Sequence, residues 1–238
     1  MKNKSNITTN DCWLSLNLEK VSLGKDLVLF GDDHNMNSGR TWLSHQIVKM
    51  SSKIKYLAIE YIETDQQALI DQLDKEILCS YIAKKYKDFP GLNPVSIFDL
   101  ISEFKMRRIK VVGIEMPESS VSNWESVGAQ TIRTKYISQQ LRELNKLGFG
   151  IALLGADHVE KGRNNVYSQI PYKKSSVVFT GGKAWSIDTK EYWIRKIELA
   201  AQESGKKNDN FAFLVKNSEF PCDWVIHFPQ TEKVGAVL

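Results

Sequence analysis

Short apolar runs recur along this chain, and the stretches between them carry apolar residues at helical spacing. The runs are Leu27-Val28-Leu29-Phe30, Tyr56-Leu57-Ala58-Ile59, Val111-Val112-Gly113-Ile114 and Ile151-Ala152-Leu153-Leu154. Between the first two, Trp42, Leu43, Ile47 and Met50 fall on one helical face. Leu69, Ile70, Leu73 and Ile77 follow after Thr64-Asp65, with Asp65 as the expected N-cap, and Ile97, Leu100, Ile101 and Phe104 come after the loop residues Phe89 to Pro94. A long helix is expected from Val127 to Leu147, stopped at Gly148. Strand and helix in this rhythm build βαβ units. The expected fold is therefore α/β: three layers, with a mainly parallel central sheet flanked by helices.

The four runs also end alike. The first leads into Gly31-Asp32-Asp33-His34 and the last into Gly155-Ala156-Asp157-His158, two copies of Gly-x-x-His. The other two stop at Glu60 and at Glu115. In open α/β sheets, ligands bind beyond the carboxyl ends of parallel strands. Four strands that each deliver an imidazole or a carboxylate there describe one polar site, an arrangement that fits an enzyme better than a scaffold. Asp32 and Asp33 flank His34 closely enough to favour its protonated form and fix its tautomer. Glu60 sits in an otherwise apolar segment, so its pKa should rise unless a cation or hydrogen-bond donors compensate. Glu115 lies where Pro117 ends its strand, Asp157 precedes His158, and Gly155 gives the backbone room to approach a ligand. His45, on the first helix, and His227, in the last strand, read as structural. Arg133, taken as a helical residue alone, reads as a solvated one, and Gly181-Gly182-Lys183 lacks the frame of a phosphate loop and reads as a turn.

The last third breaks the rhythm. Ser176 to Thr180, Phe211 to Val215 and Trp224 to Phe228 are strand candidates, with a short helix from Glu191 to Ala201 and a polar loop from Glu203 to Asn210 between them. They are expected to extend the same sheet as a mixed C-terminal extension of one domain covering 1–238. A formal net charge of +4, with the lysines scattered, argues against nucleic acid as a partner. No run approaches the ~18 apolar residues of a membrane span, and Met1 to Asn10 lacks the apolar stretch of a secretory signal. Cys12, Cys79 and Cys222 are far apart and odd in number, which fits a reducing compartment. A cytoplasmic protein is expected, or one delivered into another cell without a cleavable signal. The oligomeric state is left open.

The ordered motifs Gly31-Asp32-Asp33-His34, Glu60 and Gly155-Ala156-Asp157-His158 resemble the superfamily of erythromycin esterase (EreA), the ChaN haem-uptake lipoproteins, the Tiki and TraB proteins, and the Ras/Rap1-specific endopeptidase domain of large bacterial toxins. Thr64-Asp65-Gln66-Gln67 is similar to the segment after the ChaN glutamate, and the likeness runs over about residues 25–165. Asp32 stands where many members have Glu. In compactness and spacing the chain looks most like the toxin endopeptidase domain. The resemblance implies an EreA/ChaN-like fold. It also places Arg133, with Tyr136-Ile137, where several members carry an Arg at the start of the long helix, so that its fork would enter the cleft to hold a carboxylate or an oxyanion.

The resulting expectation is a hydrolase acting on an ester or peptide bond, with a peptide, protein or small-molecule ester as substrate. His34 or His158 would serve as general base, Glu60 would orient it or hold the leaving group's proton, and Asp32 would join the catalytic set. Asp33, Glu115, Arg133 and Asp157 would support them. In a Tiki-like version His34, Glu60 and His158 would ligate zinc, manganese or cobalt; in an esterase-like and toxin-like version the same residues work without metal, and we favour the latter. The alternative is a ChaN-like protein that binds haem or another cofactor without catalysis.

Overall fold

The computed structural model describes residues 13–14, 17–34, 37–121, 126–161, 165–180, 211–214 and 222–228. In chain order the elements are β1 (Trp13–Leu14), α1 (Leu18–Ser22), β2 (Leu27–Asp32), α2 (Ser38–Ile47), β3 (Tyr56–Glu63), α3 (Gln67–Gln72), α4 (Lys75–Lys85) and α5 (Pro94–Met106). They continue with β4 (Lys110–Glu115), α6 (Val127–Asn145), β5 (Gly150–Gly155), α7 (Ala156–Val159), α8 (Val166–Gln169), β6 (Lys174–Thr180), β7 (Phe211–Leu214) and β8 (Trp224–His227). The strands form one sheet in the order β1-β7-β8-β6-β2-β5-β3-β4. The six from β8 to β4 are mutually parallel, and β7 runs antiparallel to both β8 and β1. The expected three-layer α/β architecture is thus present, with the late strands added to the same sheet. The turn expected at Gly181-Gly182-Lys183, the helix expected from Glu191 to Ala201, the loop from Glu203 to Asn210, the side chain of His227, Cys12 and the first ten residues lie outside the described residues.

Side chains of successive strand residues point to opposite faces, and this parity divides the core in two. Val28 and Phe30 of β2, with Leu57, Ile59 and Tyr61 of β3, pack with Leu43, Ile47, Ile97 and Phe104 of α2 and α5. Leu27 and Leu29, with Tyr56 and Ala58, pack instead with Ile137, Leu141 and Leu144 of α6 and with α7 and α8. Gly31 lets α7 close on the sheet: a Cβ there would stand 2.5 Å from Val159 Cγ2 and 3.0 Å from the Ala156 Cα.

Two local features differ from expectation and a third adds to it. The helix expected through Leu69, Ile70, Leu73 and Ile77 is broken, because Leu73 adopts φ 54° and ends α3. Asp74, whose side chain accepts from the Ile77 N–H, then starts α4, and Asp65 lies within a 3₁₀ turn (Thr64–Gln66) rather than capping a helix. Strand β3 does not stop at Glu60 but runs to Glu63, with a register shift against β4 between Ile59 and Glu63. Finally, the Gln67 side chain lies along β4, donating to the Val111 carbonyl at 3.0 Å and accepting from the Gly113 N–H at 3.0 Å.

Gly31→Ala is expected to destabilise the protein by about 1–3 kcal/mol, the usual cost of overpacking against backbone that cannot retreat. Urea unfolding followed by circular dichroism measures this, and an unchanged midpoint would show that α7 is not seated by Gly31.

Candidate functional site

The ends of β2, β5 and β3 lie side by side, with Asp32 in register with Gly155 and Ile59 with Leu153. Glu60 therefore emerges beside Gly155, whose N–H donates to Glu60 Oε2 at 2.6 Å. By parity Glu60 shares the face of Ala58, toward α6 and α7, while Tyr61 shares the face of Ile59, toward α2. Two polar clusters result, one over each face at the strand tips.

The first is organised by Arg133. Helix α6 is capped by Ser126, which accepts from the Ala129 N–H at 3.1 Å, and its buried stripe includes Ile137, Leu141 and Leu144. Arg133 lies one turn before Ile137 on that stripe, with its side chain 14% exposed. Its Nε donates to Glu115 Oε1 at 2.9 Å, and one terminal nitrogen donates to Glu115 Oε2 at 2.5 Å and also to Glu60 Oε1. The other terminal nitrogen lies 2.8 Å from His158 Nε2 and 3.5 Å from Gln130 Oε1. All five N–H groups of the guanidinium are thereby directed at protein acceptors. Glu115 also accepts from the Met116 N–H at 2.8 Å. His158 Nε2 is 3.5 Å from Glu60 Oε1.

Burial pushes the Glu60 carboxyl up, but the Arg133 charge, with the two imidazoles of His158 and His34 and the Gly155 N–H, outweighs it and brings the group to about 2. The compensation Glu60 requires is thus present, and its pKa falls instead of rising. Glu115 is shifted up, chiefly by burial: its Arg133 hydrogen bond does not offset that and the repulsion of Glu60. One cation between two buried carboxylates satisfies one fully and the other in part.

The second cluster is organised by Asp32 and Arg40, an ion pair whose side chains are both 0% exposed. The Tyr61 hydroxyl also donates to Asp32 Oδ2. Arg40 reaches the Tyr61 oxygen at 3.0 Å, Ser96 Oγ at 2.8 Å and Asn37 Oδ1 at 2.6 Å. His34 Nδ1 lies 2.9 Å from the Tyr61 oxygen. The His34 ring meets Tyr61, Tyr86 and Phe89 edge-on, and the Tyr86 hydroxyl donates to the Glu60 carbonyl at 3.3 Å, linking the two clusters. Burial, followed by the Asp32 charge, drives the Tyr61 hydroxyl well above its ordinary value, so it remains a donor.

Of the expected site residues, Glu60, Glu115, Arg133 and His158 are in direct contact, and Asp32 joins His34 through Tyr61. Asp33 is half-buried beside them, and Asp157 is exposed on α7. Arg133 turns into the cleft, the position the resemblance implied and not the solvated one its helix alone suggests, and its fork is filled by Glu60, Glu115 and His158. One expectation is corrected. The metal set of His34, Glu60 and His158 does not fit a divalent ion: the guanidinium holds Glu60 and the His158 Nε2 lone pair, and a second cation there would be repelled. Among the described residues no group of His, Cys, Asp or Glu could hold a metal. His45 is exposed on α2, at a polar groove of about 490 Å³ shared with Asn37 and Ser96. Arg40 and Tyr61 were missed from sequence. The signal lay in helical spacing, since Arg40 falls on one stripe with Leu43 and Ile47, as Arg133 does with Ile137 and Leu141.

The sequence matches no protein-family model and no curated protein. Among solved structures, the type III effector HopBA1 is similar, with a TM-score of 0.58 and 12% identity over 87% of this chain and 88% of that chain. That likeness is one of fold. The RRSP effector domain of a MARTX toxin from Vibrio vulnificus CMCP6 aligns with a TM-score of 0.48 and 13% identity over 68% of this chain and 35% of that chain. ChaN of Campylobacter jejuni, described with cofacial haem binding, aligns at 0.47 and 13% over 91% and 97%. Among the described residues no helix is long and apolar enough to cross a membrane.

Because the folded pKa of Glu60 lies below its ordinary 4.5, at about 2, its ionised form adds stability above about pH 4.5 that is lost as pH falls toward about 2. Glu115, shifted the other way, is relieved on protonation. Glu60→Gln is therefore expected to be less stable than the wild type by a few kcal/mol near neutrality, with the gap closing between about pH 5 and pH 2. Thermal melts across that range measure it; a gap independent of pH would remove the Arg133–Glu60 pair as its source.

Proposed function

We propose that the protein is a hydrolase of ester or peptide bonds in which His34 is the general base. The observation that carries this is the commitment of the Tyr61 hydroxyl. Its single proton goes to Asp32, an acceptor-only carboxylate held by Arg40, so toward His34 the oxygen can only accept. His34 Nδ1 then carries the proton, and Nε2 keeps a lone pair that meets no partner among the described residues. Such a lone pair can take a proton from water as the water oxygen attacks a carbonyl carbon. The tetrahedral adduct collapses when the bond to the leaving oxygen or nitrogen breaks and Nε2 returns the proton to it, giving an acid and an alcohol or amine. The Glu60 carboxylate, which interacts with the His34 charge, helps to balance the transient imidazolium.

HopBA1 is a type III effector, and a protein substrate met after delivery into another cell is the corresponding reading here. Under it the purified protein is colourless; a Soret band would instead identify a haem carrier. The chain is read as one domain over 1–238.

His34→Ala is expected to lower kcat by about 10²–10⁴ on p-nitrophenyl acetate or labelled casein, whichever the wild type cleaves. Tyr61→Phe, which keeps the Asp32–Arg40 pair, should lose less, and His45→Ala should lose nothing. Full activity in His34→Ala excludes His34 as base.

A further inference from the structure

The two Gly-x-x-His imidazoles are not equivalent. His34 bonds through Nδ1 and keeps Nε2 unpartnered among the described residues. His158 bonds through Nε2, and its partner there is a guanidinium, which has donors only and does not deprotonate in proteins. Nε2 of His158 therefore accepts, which puts a ring proton on Nδ1. Protonating Nε2 would aim an N–H at the Arg133 cation across 2.8 Å. The first cluster thus occupies the lone pair a base would need and leaves a donor, Nδ1–H, with no acceptor among the described residues. The other donors nearby are spent, because the five N–H groups of Arg133 face protein acceptors and the Gly155 N–H faces Glu60.

We propose that His158 serves as a hydrogen-bond donor, through Nδ1–H, to the substrate oxygen that gathers negative charge, and that Arg133 is the positioning residue which enforces this. The assignment rests on the hydrolase reading and deepens it: both imidazoles act on the one Glu60 carboxylate at the strand tips, and the substrate is an acyl compound whose carbonyl oxygen faces His158 while its carbon faces water held at His34. The two histidines divide the work as acceptor and donor. A donor already in place stabilises an oxyanion as its charge develops.

Two measurements test this on the full chain. In long-range proton–nitrogen correlation spectra of the nitrogen-15-labelled protein near pH 8, His158 is expected as the Nδ1–H tautomer. Arg133→Gln frees Nε2 and should return His158 to the Nε2–H tautomer common in free histidine. Since Arg133→Gln leaves two buried carboxylates without their cation and can fail to fold, a second pair of variants stands independently. His158→Gln, whose amide still donates, should retain activity within about tenfold on p-nitrophenyl acetate or labelled casein, whereas His158→Leu should lose about 10²–10³ in kcat. An Nε2–H tautomer in an active wild type overturns the inference and leaves the His34 base standing, as does an equal loss in His158→Gln and His158→Leu. A wild type that cleaves neither probe overturns the hydrolase reading, and the substrate role of His158 with it, even where the Nδ1–H tautomer is found.

Discussion

One guanidinium holds the centre of this protein together. Glu60 is 2% exposed and Glu115 1%, and a carboxylate taken so far from water costs several kcal/mol unless a partner and hydrogen bonds restore what hydration supplied. Arg133 answers both carboxylates and the His158 ring with one planar fork, a geometry a lysine ammonium cannot reproduce. The site is therefore tied to α6: the helix packs Ile137 and Leu141 against the sheet, and the same register delivers the cation to the strand tips. Packing and electrostatics here are consequences of one helical phase.

The second cluster follows from parity. Because Glu60 and Tyr61 are neighbours in a strand, they point to opposite faces, and each meets an arginine from the helix layer it faces. Arg133 comes down from one layer and Arg40 from the other. Two histidines in the same short motif thereby acquire opposite electronic settings, one hydrogen-bonded through Nδ1 to a hydroxyl, the other through Nε2 to a cation. The difference arises from the partners supplied by the helices, with no difference in the motif itself.

The strands and their chemical endings were legible because they are local: an apolar run followed by His or Glu needs no tertiary information. The helices α2, α5 and α6 were legible for the same reason, through spacing. Asp74 and the left-handed Leu73 were missed, because the apolar period continues across the break and only the N-cap marks it. The arginines were harder. An Arg on a helix reads as solvated until it is seen to share a stripe with buried residues, and even then sequence does not say which carboxylate waits for it. The pKa of Glu60 could not be assigned for that reason: burial and compensation act in opposite directions, and the compensating residue is distant in the chain.

The side-chain amide of Gln67 has a consequence for how a polypeptide could approach. It fills the outward carbonyl of Val111 and the outward N–H of Gly113, two of the groups through which β4 would otherwise pair with an added strand. An extended peptide arriving at that border finds two adjoining ladder positions already matched by an imitation backbone, which works against lengthening the sheet there.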